Sequence, residues 1–271
     1  MPTLPHPNMP PAITKALDLL SIRNWPPISA SNSKKLAKDN LSRLPKRTMD
    51  ELRQAKFILP IGTGTLKAHI NAFPVLKPNK CLRLIGDPTQ LNAAIPWSEA
   101  IPLKLGSITQ LLDAIENLLR EPRNSREENG GKTLYIFESD FKNFFPQIPL
   151  PELTRFFFGI HNKDENNTHS RYLTTALCQG WGASPGIAQA LSWWCLAKNW
   201  PHLQEVLGTY EYIPGFISVT CPETNAKAII AIVYDNIGIF STSLEFKNFI
   251  VRQYRAGKHD MNIAEKYFED T

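Results

Sequence analysis

Two acidic segments, each at the end of a β-rich apolar run, constrain this chain more than any other feature. Leu134 to Phe137 leads into Ser139-Asp140-Phe141-Lys142-Asn143-Phe144-Phe145, and Ala228 to Val233 leads into Tyr234-Asp235-Asn236. Each carboxylate is therefore expected at a strand end. Two carboxylates far apart in sequence, brought together on adjacent strands, can hold a pair of divalent cations, the apparatus for attack of a hydroxyl on a phosphoanhydride. Between them lies Gln179-Gly180-Trp181-Gly182-Ala183-Ser184-Pro185, whose glycines let backbone approach an incoming nucleotide or a template base. Each piece also has an ordinary reading. Asp140 alone is a helix N-cap or turn aspartate, and Asp235-Asn236 alone is a two-residue hairpin turn, since Asn accepts positive φ readily.

Taken with the upstream run Arg83-Leu84-Ile85-Gly86-Asp87-Pro88-Thr89-Gln90-Leu91-Asn92, these segments resemble the reverse transcriptases across residues 73 to 245. Four motifs stand in the family's order. The first is similar to its fingers segment, in which a strand Arg is followed by Asp and then Leu-Asn. The second is Asp140 followed by the aromatic Phe145 and by Gln147-Ile148-Pro149-Leu150. The third, Gln179-Gly180-Trp181 with Ser184-Pro185 and Gln189, is nearly the family pattern letter for letter. The fourth, Val233-Tyr234-Asp235-Asn236, resembles the Tyr-x-Asp-Asp hairpin. The form of the third motif looks like the retroviral and long-terminal-repeat side of the family, together with the tyrosine-recombinase retroelements.

The resemblance implies an α+β polymerase right hand, with palm and fingers, that acts as a nucleotidyltransferase. An RNA or DNA template with its primer would be the partner and deoxynucleoside triphosphates the substrates. It implies two Mg²⁺ (or Mn²⁺) ions held by Asp140, the carbonyl of Phe141 and Asp235. Lys77 and Arg83 would meet the triphosphate, roles suited to a point charge and a bidentate guanidinium. Asp87, Gln179 and Gly180 would line the nucleotide pocket. Phe145 would close the space beneath the sugar 2′-carbon and so select deoxynucleotides, leaving Phe144 to the core.

Asn236 departs from the pattern, because an amide offers an oxygen ligand without the charge that Mg²⁺ favours. Val233 in place of an aromatic is a milder change. Three roles remain open: RNA-directed DNA polymerase, RNA-dependent RNA polymerase, and a non-catalytic remnant that binds nucleic acid or a protein partner. Phe145 opposes the second and Asn236 favours the third.

The 271 residues and 42% apolar content are those of a globular protein with one sizeable core or two small ones. No apolar run approaches the ~20 residues of a membrane span, and Met1 to Pro11 lacks an apolar h-region, so no membrane and no secretory signal are expected. Cys81, Cys178, Cys195 and Cys221 show no CxxC spacing. Reduced, partly buried thiols in an intracellular protein, cytoplasmic or nuclear, are expected. The histidines show no ligand spacing, and His161 and His169 flank a polar stretch that reads as an exposed loop. Residues 1 to 56 hold ten Lys/Arg against four Asp/Glu, either a solvated helix face or a phosphate-backbone contact.

Four regions follow from these patterns: a basic, proline-rich extension with helices (1–56), a fingers-like region (57–131), a palm (132–255) and a tail (256–271). Helices are expected over Ile13 to Leu20, Ser33 to Leu44, Met49 to Phe57, Ile108 to Leu119, Pro151 to Ile160, Pro185 to Lys198 with Ser184 as N-cap, and Leu244 to Tyr254. A hairpin is expected over Phe73 to Ile85 with its turn at Lys77 to Lys80, a loop over Glu121 to Gly131, a strand over Tyr172 to Leu177, and two strands between Tyr210 and Tyr234. The acids ride on antiparallel strands with helices on one face. Ser241 to Thr271 leaves no room for a thumb or an RNase H domain, so the expectation is a fingers-and-palm piece, either of a longer polyprotein or of a decayed element.

Overall fold

The computed structural model describes residues 7–36, 39, 41–61, 65–76, 82–120 and 133–270. The expected turn at Lys77 to Lys80, the loop at Glu121 to Gly131 and the first prolines, Pro2 and Pro5, lie outside them. The chain forms two compact units, one of Met1–Leu17, Pro102–Phe144 and Ala188–Thr271, the other of Asp18–Ile101 and Phe145–Ile187. Among the described residues no helix is long and apolar enough to cross a membrane.

The first unit is built on a five-stranded antiparallel sheet in the order Phe216–Thr220, Lys227–Val233, Asn236–Ser241, Tyr135–Phe141, Glu265–Asp270. Tyr135–Phe141 alternates as a half-buried strand should, burying Phe137, Ser139 and Phe141. Lys227–Val233 does not alternate. Its Ala-Ile-Ile-Ala-Ile core is buried from Ala228 through Ile232, so it is covered on both faces, where cover on one face was expected. The helix Leu244–Asp260 is longer than its spacing predicted and opens on a Ser243 cap whose Oγ accepts from the Phe246 N–H at 3.2 Å. Its Tyr254 hydroxyl meets Ser139 Oγ at 3.0 Å, and its ring lies 5.7 Å from Phe141, whose ring is 4.6 Å from that of Phe144 and tilted to it. The tail beyond that helix is a strand, Glu265–Asp270, paired with Tyr135–Phe141.

Gly257 marks the closest helix contact in this unit. A Cβ there would lie 1.7 Å from the Cys195 carbonyl oxygen, on the helix Ser184–Ala197. Elsewhere in a helix, Gly→Ala gains up to about 1 kcal/mol of helix propensity. Here the methyl group forces two backbones apart, so Gly257→Ala is expected to destabilise the protein by about 1–3 kcal/mol in denaturant unfolding. A stabilised variant would show that the two helices do not meet at this glycine.

The second unit holds a four-stranded sheet, in the order Leu41–Ser42, Gly159–Lys163, His169–Thr174, Ile58–Pro60, and the antiparallel pair Asn71–Leu76 and Leu82–Asp87. Its core is an aromatic cluster. Trp25 lies 5.3 Å from Trp97, 5.5 Å from Trp181 and 5.1 Å from Phe157, and its indole N–H donates to the Leu19 carbonyl at 2.7 Å.

Several expected helices give way here to pairing with distant residues. The helix expected over Ser33 to Leu44 is Ala30–Leu36. Leu41–Ser42 instead pairs in parallel with His161–Asn162, and the buried Asn162 amide bonds both the N–H and the carbonyl of Leu44, at 2.7 and 2.9 Å. The helix expected over Pro151 to Ile160 is a single turn, Glu152–Arg155. Phe158 packs into the tryptophan cluster, 5.1 Å from Trp181, and Gly159 begins a strand. Met49 belongs to Lys46–Gln54, and the segment expected to stay helical to Phe57 turns into the strand Ile58–Pro60.

His161 and His169 sit on paired strands, and the polar stretch between them is a loop over 164–168, Asn162 and Lys163 belonging to the strand. His161 Nδ1 lies 2.6 Å from the acceptor-only carboxylate of Asp39, and its Nε2 lies 2.9 Å from His169 Nδ1. His161 thus has a hydrogen-bond partner at each ring nitrogen. In the basic segment, Lys46 bonds Asp50 at 2.6 Å and Arg47 bonds Glu51 at 2.9 Å, both one turn apart on one exposed helix. These two cations belong to a solvated helix face.

Candidate functional site

The strands Lys227–Val233 and Asn236–Ser241 are joined by the two-residue loop Tyr234–Asp235, closed by the pair Val233 and Asn236. The residue with positive φ is Tyr234, at 58°, so the loop sits one residue earlier than the Asp235-Asn236 turn expected from sequence. A two-residue hairpin loop needs left-handed backbone at its first position, where glycine or asparagine is usual. Asn236 becomes the first residue of its strand, directly opposite Asp140. Residues so opposed carry Cβ atoms roughly 5 Å apart. The backbone N–H of Phe141, one residue past Asp140, donates to the Asp235 carbonyl at 3.1 Å. The hairpin thus brings together Asp140, Phe141, Asp235 and Asn236, all in the first unit. Asp140 and Asp235 are half-buried and Asn236 is exposed. The Asn236 amide donates to Asp235 Oδ1 at 3.2 Å.

Among the described residues no group of three or more His, Cys, Asp or Glu side chains is set to hold a metal by itself. Two half-buried carboxylates, Asp140 at the end of its strand and Asp235 in the adjoining loop, are nonetheless a donor set that suits Mg²⁺. That ion keeps several waters and is held by one or two carboxylates plus substrate phosphates rather than by an all-protein cage.

In the second unit the first and third motifs meet. Asn92 donates from Nδ2 to the Gly180 carbonyl at 2.8 Å and accepts at Oδ1 from the Gly182 N–H at 2.7 Å. Its amide therefore clasps the glycine-rich turn at both ends. A Cβ on Gly180 would lie 2.7 Å from the Gly86 carbonyl, and one on Gly182 2.5 Å from the Trp97 ring. The close approach that these glycines permit is made by the chain itself. Cys178 donates from Sγ to the same Gly86 carbonyl at 3.0 Å, and burial pushes its thiol up to about 11, so it stays a donor at neutral pH. Cys195 and Cys221 are buried thiols too.

The remaining predicted pocket residues also fall in the second unit. Asp87 Oδ1 accepts from the Thr89 N–H at 3.0 Å and from its hydroxyl, a local turn that opens the helix Thr89–Ala94. Gln179 and Gly180 are exposed, and Phe145 is buried. Arg83 lies on the strand Leu82–Asp87 opposite Val75, and Lys77 lies outside the described residues. Ser184, expected as an N-cap, is the first helical residue, and its hydroxyl donates backward to the Cys178 carbonyl. Trp181, 1% exposed, belongs to the aromatic core.

Sequence reasoning placed Asn92 in the first motif and Gln189 in the third but gave neither a role, and it passed over Ser192. Gln189 and Ser192 are polar residues in the otherwise apolar Ser-Pro-Gly-Ile-Ala-Gln-Ala-Leu-Ser-Trp-Trp-Cys-Leu-Ala helix, buried throughout its last ten residues.

No protein-family profile matches the chain, and no curated protein does. Among solved structures it is similar to a foamy viral protease–reverse transcriptase (dRH) in complex with double-stranded DNA, at 15% identity and a TM-score of 0.50. The match covers 84% of this chain and 32% of that one. The chain thus has a reverse-transcriptase-like fold and spans about a third of the length of that viral protein.

Proposed function

We propose that this chain is the fingers and palm of a retroelement reverse transcriptase, built for template-directed addition of deoxynucleotides to a primer 3′-hydroxyl. The observation that carries the reading is the strand register that sets Asn236 opposite Asp140, with Asp235 in the adjoining loop. Asp140, Asp235 and the Phe141 carbonyl are the ligands for two Mg²⁺ or Mn²⁺ ions. Bound there, the ions would activate the primer hydroxyl and offset the triphosphate charge. Lys77, Arg83, Asp87, Gln179 and Gly180 bind the incoming nucleotide, and Phe145 excludes a ribose hydroxyl. Template, primer and the other parts of a polyprotein are the partners. Asn236 supports a second reading, a non-catalytic remnant that keeps the fold and binds nucleic acid.

The test is primer extension on RNA and DNA templates with Mg²⁺ or Mn²⁺, with Asp140→Asn alongside. Metal-dependent extension that falls on the order of 10²–10³-fold in Asp140→Asn is the expected result. Binding of primer-template without extension, with Asp140→Asn behaving as wild type, would favour the remnant and end the catalytic reading.

A further inference from the structure

The Tyr234–Asp235 loop is held by a helix, and two of that helix's side chains have no assigned role. Gln189 is fully buried on Ser184–Ala197. Its Oε1 accepts from the Tyr234 N–H at 2.7 Å, and its Nε2 donates to the Ile232 carbonyl at 2.6 Å and the Pro214 carbonyl at 2.9 Å. Ser192, one turn on, donates its hydroxyl to the Tyr234 carbonyl. Both backbone polar groups of Tyr234 are therefore bonded by side chains on the same helix face. Asp235 is held from the other side by the Phe141 N–H. All these groups belong to the first unit.

A tyrosine at φ 58° takes a backbone conformation that costs a non-glycine residue free energy and persists only where its surroundings over-determine it. The surroundings here are Gln189 and Ser192. One amide donates both its N–H groups to carbonyls and accepts one N–H at its oxygen. Trp193 reinforces the base by donating from its indole N–H to the Pro214 carbonyl at 2.7 Å.

We infer that Gln189 and Ser192 are positioning residues that set the Tyr234–Asp235 loop and thereby the direction of the Asp235 carboxylate toward a divalent cation. The inference rests on the function proposed above and adds two residues to it. Groups that orient a ligand from behind typically change metal affinity by about 10–100-fold when removed.

The experiment measures Mn²⁺ binding by electron paramagnetic resonance and amide exchange at Tyr234 and Asp235, in wild type, Gln189→Met, Ser192→Ala and Asp140→Asn. Ile250→Val, a core change on the helix Leu244–Asp260, serves as a control for general loss of stability. Gln189→Met and Ser192→Ala are expected to weaken Mn²⁺ binding by about tenfold or more and to speed loop exchange by a similar factor. Ile250→Val should leave both within about twofold, because it trims one methylene from the core and removes none of the loop's hydrogen bonds. Unchanged Mn²⁺ affinity in both variants, or an equal loss in Ile250→Val at the same melting temperature, overturns the inference. If wild type holds no Mn²⁺, the proposed function falls and the exchange measurement alone decides. Faster exchange confined to the loop upholds control of the loop by the helix, and unchanged exchange in Gln189→Met overturns it.

Discussion

Asn236→Asp is expected to raise metal-dependent primer extension on the order of 10²-fold, the scale on which one preorganised charge-stabilising group acts. It is also expected to make folding stability depend on divalent metal. Asn236 stands opposite Asp140, and its amide donates to Asp235 Oδ1 at 3.2 Å. The substitution removes that donor and sets a third carboxylate beside two others. Without metal the like charges repel, and the melting temperature should fall by about 2–4 °C. With Mg²⁺ or Mn²⁺ the same three carboxylates bind the ions more tightly, and the loss should be recovered and exceeded, because a ligand that binds only the folded state stabilises it. Wild type should respond more weakly to either metal. Thermal melts across a metal titration, paired with extension by both forms at equal concentration, separate the outcomes. Extension by wild type at the level of Asn236→Asp would mean that the amide suffices. A variant that gains neither metal response nor extension would leave the chain as a remnant.

The acid hairpin was legible because its signals are local. Ala-Ile-Ile-Ala-Ile-Val is a short, β-branched apolar run bounded by turn residues, the pattern of a strand, and Tyr-Asp-Asn after it reads as a turn. The one-residue error in the loop has a tertiary cause. Asn236 is the residue that local preference would place at positive φ, but Gln189 and Ser192 grip both backbone groups of Tyr234 and fix the loop one residue earlier.

The failures around Ser33 to Leu44 and Pro151 to Ile160 share a different cause. In both, helical spacing was outweighed by strand pairing and by aromatic packing with residues far away in sequence, Asn162 for Leu44 and Trp25 for Phe157. Gly180 is the instructive case for the site. Its sequence context invited an approaching nucleotide, whereas the atom that meets its missing side chain is the carbonyl of Gly86. A glycine-rich motif records that something comes close. It does not record what.

Trp181→Ala is expected to cost about 3–5 kcal/mol of stability, the range for emptying a fully buried tryptophan site. Trp181 is 1% exposed, and its ring lies 5.1 Å from Trp97, 5.1 Å from Phe158 and 5.5 Å from Trp25. All three neighbours are large rings that cannot collapse into the void without leaving their rotamers, so the cavity term should be near its full size. A further loss follows from position. Trp181 stands between Gly180 and Gly182, the two residues that Asn92 clasps. Loosening the ring therefore frees the turn, and the Asn92 amide then loses both partners. Trp181→Phe keeps a ring in the site and should cost less than half as much. Asn92→Ala should add little to Trp181→Ala, because one change already undoes what the other removes. Urea unfolding of the single and double variants measures all three quantities. A cost below about 1 kcal/mol for Trp181→Ala, the size typical of a surface change, would take this residue out of the core.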